Sequence, residues 1–78
     1  ESRRGLAYLM KKAFEKAVKA FDRVAEIDDR FAHLYFYRAL AWNQLGKKDK
    51  MLIDMDQFVK LAPSSPEADQ ARAFLSAY

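Results

Sequence analysis

The chain has 78 residues, enough for one small domain, and half of them are hydrophobic, which excludes a disordered tail. It has no cysteine, so disulfides, thiolate nucleophiles and cysteine metal sites are excluded. The net charge of +3 is mild but uneven: residues 1–23 hold seven Lys/Arg against three Asp/Glu. That surplus falls short of the dense basic stripe of nucleic-acid binders, and no apolar run is long enough to span a membrane.

Only two Gly and two Pro occur, there is no Thr, and Ala, Leu, Lys, Glu, Arg and Met dominate, so helix is the expected state. A first helix is expected over about Ser2 to Lys11. The second is expected over Phe14 to Ile27, where Phe14, Ala17, Val18, Phe21, Val24 and Ala25 form an apolar stripe at steps of three and four. Asp28 or Asp29 is expected to cap a third helix over about Phe31 to Leu45, which Gly46 ends in the left-handed conformation. A fourth runs from about Asp49 to Leu61 and is stopped by Pro63. Ser64-Ser65-Pro66-Glu67 is a start signal for a fifth helix, Pro66 to about Ala77. Short connections make neighbours antiparallel.

The chain repeats at a spacing of 34 residues. Tyr8 returns as Trp42, Leu6 as Leu40 and Phe74, Phe21 as Met55, and Arg4 as Arg38 and Arg72. That period is the signature of stacked helical hairpins, which bury their apolar faces against one another. Gly5 and Ala39 stand where the two helices of a hairpin cross, and Tyr8 or Trp42 fills the space one turn later.

With that register, the residues resemble the tetratricopeptide repeat family. One unit reads Tyr35, Arg38-Ala39, Trp42, Gly46, Met51, Met55 and Pro63; the other reads Arg4-Gly5, Tyr8, Ala17, Phe21 and Asp29. The resemblance implies an all-α superhelix of five antiparallel helices. Its divisions are residues 1–31 as an N-terminally truncated repeat, 32–65 as a second and 66–78 as a capping helix, with the whole a fragment of a longer protein. Ser76, at the place of Tyr8 and Trp42, fits the capping role.

Of the polar residues, a lone His33 has no constellation around it, and Asp28 and Asp29 are better read as caps. Asp49, Asp54 and Asp56 lack calcium-loop spacing and read as a solvated helix face. The serines have no base or nucleophile-elbow motif. No catalytic, cofactor or metal residue is assigned, and an enzyme is not expected. Arg4, Arg38 and Arg72 suggest either an anion ladder or ion pairs within hairpins; the latter is favoured, with Asp54 facing Arg38 and Ala20 at the matching place in the first hairpin. Lys11, Lys12, Lys47, Lys48 and Lys50 gather at the turns.

The third helix has almost no polar face before Asn43. Packing is expected to use Tyr35, Ala39 and Trp42, leaving Phe36, Tyr37 and Leu40 pointing elsewhere. The first helices of tetratricopeptide hairpins line a concave groove. The resemblance therefore implies a partner-binding floor of Leu6, Met10, Phe36, Tyr37, Leu40, Asn43, Gln70 and Phe74. The Lys and Asn groups with which some members clamp a terminal carboxylate are missing. The expected function is a non-enzymatic protein–protein interaction module that takes a peptide or helix. A self-associating segment is the first alternative, and an electrostatic binder of nucleic acid or an acidic partner is the second. The sequence does not fix the compartment, with the cytoplasm slightly favoured.

Overall fold

A computed structural model describes residues 2–77, the side chain of Ser2 excepted. Residues 1 and 78, at the outer ends of the expected first repeat and capping helix, lie outside the described residues. The chain is all-α: α1 (Ser2–Met10), α2 (Phe14–Ile27), α3 (Ala32–Gln44), α4 (Lys48–Leu61) and α5 (Pro66–Ala77), with no strand among the described residues. Each helix packs on the next in sequence, and α1 also touches α3. Every connection is three or four residues long.

The 34-residue register is visible in the backbone. At the end of α1, Lys12 N–H donates to the Leu9 carbonyl and Ala13 N–H to the Tyr8 carbonyl. At the end of α3, Gly46 N–H donates to Asn43 and Lys47 N–H to Trp42 in the same pattern. Both are Schellman closures, which need a left-handed residue just past the helix. Gly46 takes it at φ 76°, as expected, but the first hairpin puts Lys12 there at φ 62°. A side chain in that region costs about 1–2 kcal/mol. Lys12→Gly relieves this, against an unfolded-state cost of about 0.4–1 kcal/mol. The expected result is a change of between about zero and a gain of about 1.6 kcal/mol in chemical denaturation.

The expected aspartate caps do not form. The residue before α3 is Phe31, with no side-chain cap, and Asp28 instead accepts the Arg30 backbone N–H at 3.0 Å. The Asp29 carbonyl is used by the Tyr35 hydroxyl at 2.7 Å. Two aspartates placed three and four residues ahead of the helix are too early to reach its free N–H groups. Ser65 also turns backwards: its hydroxyl donates to the Ala62 carbonyl at the end of α4.

The core lies around α2, α3 and α4, where Phe21, Leu34, Met51, Met55 and Phe58 are fully buried. Gly5 lies directly against Phe21. A Cβ there would sit 2.7 Å from the ring of Phe21. In the second hairpin the crossing pair is Ala39 and Met55, both fully buried: the flexible thioether tolerates a Cβ where a rigid ring does not. Gly5→Ala is therefore expected to cost about 1–3 kcal/mol by overpacking. In a Phe21→Met background the same change is expected to be neutral, a coupling that a denaturation cycle measures directly.

Candidate partner-binding surface

The repeat places Leu6, Leu40 and Phe74 at one register on α1, α3 and α5, and all three are only half-buried. Met10, one turn beyond Leu6, is 85% exposed. Asn43 is half-buried and Gln70 exposed. Gln70 and Phe74 flank a shallow apolar cleft on α5 with Ala73 and Ala77, about 440 Å³ in volume. Tyr37 is half-buried because its ring stacks on Phe21, centroids 6.0 Å apart.

Phe36 departs from the expectation. It is 5% exposed and packs its ring 5.1 Å from Phe58 of α4. The physical reason is that α3 is the middle helix, covered by α2 on one side and α4 on the other. A single stripe does not describe a helix with two packing neighbours, so Phe36 is core. Trp42 moves the other way: it is half-buried, with the Lys50 ammonium 4.6 Å from its ring centroid.

His33 finds a partner that local reading missed. Its Nε2 lies 3.0 Å from Oε1 of Glu67 on α5, and its ring packs edge-on against Phe58 at 5.1 Å. The hydrogen bond from His33 holds the Glu67 carboxyl below the ordinary glutamate range. The two residues are 34 apart, so they occupy the same position in successive units. The repeat period was the signal that could have paired them.

Arg38 is the electrostatic centre of the molecule. Its Nε and Nη2 each donate to Asp54 at 2.8 Å, and its Nη1 donates to Asp22 of the preceding hairpin at 2.9 Å. Asp54 is 4% exposed, so it is a buried counter-ion and does not belong to a solvated face. Its bonds raise the Arg38 guanidinium above its usual range, against the effect of burial. The expected ion pair within a hairpin is thus present at Arg38, with an extra tie between hairpins. Arg72 instead bonds Asp69 on its own helix and the Pro63 carbonyl.

Among the described residues no group of three metal-binding side chains occurs, and no helix is long and apolar enough to cross a membrane. The geometry defines the class: an all-α protein of packed helical hairpins with several partly uncovered apolar residues. No family model, curated protein or solved structure matches the chain.

Proposed function

We propose that this chain is a non-enzymatic protein–protein interaction module built from tetratricopeptide-like hairpins, holding a peptide or helix against the strip formed by Leu6, Met10, Leu40 and Phe74. One observation carries the reading: Leu6, Leu40 and Phe74 recur at one register yet stay incompletely buried, while Met10 beside them is 85% exposed. Exposed apolar surface of this kind marks interaction sites, and a ridge of apolar positions on parallel helices suits an amphipathic partner. Tyr37, Asn43 and Gln70 flank the strip; Phe36 supports it from the core.

A second reading has its own observation. Gly5 and Ala39, the crossing residues of the two hairpins, are buried, whereas Ala73 at the same register of α5 is exposed beside Phe74 and Ala77. That face suits a second copy of the chain. Peptide-display selection against the folded protein tests the first reading, with the selected peptides retested on a Met10→Gln, Leu40→Ala variant. A loss of about tenfold or more, equal to about 1.4 kcal/mol, is expected. Unchanged affinity rejects the strip as the site. Sedimentation across concentration, with and without Ala73→Glu, decides the self-association reading.

A further inference from the structure

The two hairpins each carry a pocket at the same register, lined by the Asp54 carboxylate in one and by the Ala20 methyl group in the other. Between α3 and α4 a pocket of about 260 Å³ is walled by Arg38, Trp42, Lys50, Ile53 and Asp54. Moving back 34 residues along the sequence gives Arg4, Tyr8, Lys16, Lys19 and Ala20. Those five, with Arg23, wall a pocket of about 240 Å³ between α1 and α2. In the second hairpin the chain supplies its own anion: the Asp54 carboxylate accepts two bonds from the guanidinium of Arg38.

In the first hairpin that carboxylate is replaced by the methyl group of Ala20. Two further exchanges add charge: Lys19 stands for Ile53 and Arg23 for Gln57. Arg4 is itself engaged in a contact, so the surplus comes from Lys16, Lys19 and Arg23. These three lie on one face of α2, at spacings of three and four. They are exposed, and none makes an ion pair among the described residues. Asp22, beside Arg23 in sequence, is already taken by Arg38 at 2.9 Å.

We propose that the first-hairpin pocket binds a carboxylate side chain of an acidic protein segment, in the place that Asp54 fills in the second hairpin. The second hairpin shows that a carboxylate fits this frame in one pocket with Lys50, the counterpart of Lys16, and Arg23 adds a guanidinium whose fork suits a carboxylate. Lys16, Lys19 and Arg23 then meet further acids along the segment. A wall of one charge sign raises the local concentration of such a ligand and speeds its arrival, more so at low salt. This surface is separate from the apolar strip, so its fate does not depend on that reading.

The test uses fluorescence anisotropy with a labelled Asp/Glu hexapeptide, its Asn/Gln analogue, and a single-stranded oligonucleotide of equal charge. Three variants are compared. Ala20→Asp returns the internal carboxylate to the first hairpin. Lys19→Ile with Arg23→Gln copies the second hairpin at exposed positions, so folding is preserved even if the first variant fails to fold. Lys11→Gln with Lys47→Gln removes the same charge from the turns. The expected result is binding of the acidic peptide alone, at least tenfold weaker on the first two variants and within twofold on the third. Absence of binding, equal loss on the turn variant, or full binding to the first two overturns the proposal. An oligonucleotide that binds more tightly than the peptide and loses affinity on the same variants also overturns it, in favour of a phosphate-backbone site.

Discussion

Phe36→Ala is expected to lower the unfolding free energy by about 3–5 kcal/mol, the usual range for deleting a buried aromatic ring. Phe36 is 5% exposed, lies 5.1 Å from Phe58 and meets Tyr37 at 5.8 Å. The cavity would open between α3 and α4, where no flexible neighbour is available to fill it except the methionines. A domain of this size has about 4–12 kcal/mol of stability in total, so the loss is a large share of it and the unfolding midpoint is expected to fall clearly. Trp42→Ala is expected to cost less, because that ring is already partly exposed and part of its contact is with an exposed lysine. This reverses the ranking that the sequence pattern suggests. Chemical denaturation of the two variants at low temperature decides it. A Phe36→Ala protein that is more stable than Trp42→Ala returns Phe36 to the surface strip.

Asp54→Ala is expected to cost about 3 kcal/mol, the low end for breaking a buried ion pair. The substitution leaves Arg38, whose side chain is 17% exposed, without its two shortest bonds. Asp22 still holds Nη1, which limits the loss. Most of the penalty is the unpaired charge, so removing both partners tells pair strength from desolvation. Arg38→Met with Asp54→Leu is expected to recover most of the stability, since Asp22 is half-exposed and regains water. A double variant as unstable as Asp54→Ala would show that the network itself, and not relief of a stranded charge, sets the effect. Denaturant titration of the three proteins at constant ionic strength measures the difference.

The helices were legible because their signals are local. Residues at steps of three and four define α2, Pro63 ends one helix, and Pro66 begins another, each acting within a turn of backbone. The expected spans of α2 and α5 agree with the structure to the residue; α1 and α4 differ by one residue at one end and α3 by one at each end. Caps were less legible: Asp28 and Ser65 have the right chemistry near a helix start, but Asp28 accepts from the Arg30 N–H and the Ser65 hydroxyl donates to the Ala62 carbonyl. Of the expected binding floor, Leu6, Met10, Leu40 and Phe74 keep exposed surface, Tyr37 is half-covered by its stacking on Phe21, and Phe36 is core.

By itself the sequence determined the all-α class, the five helices and the 34-residue register, because propensity, periodicity and turn chemistry are properties of short segments. It also contained the Arg38–Asp54 pair and the His33–Glu67 pair, the first read from facing positions, the second present only as an unused repeat spacing. The tertiary structure alone decided which face of α3 is inside, since that depends on α2 and α4 covering it from both sides. It alone showed that Asp54 is buried and that Lys12 adopts a left-handed backbone. Burial is a collective property of several packed helices, and a stripe on one helix records its strongest neighbour but not its second.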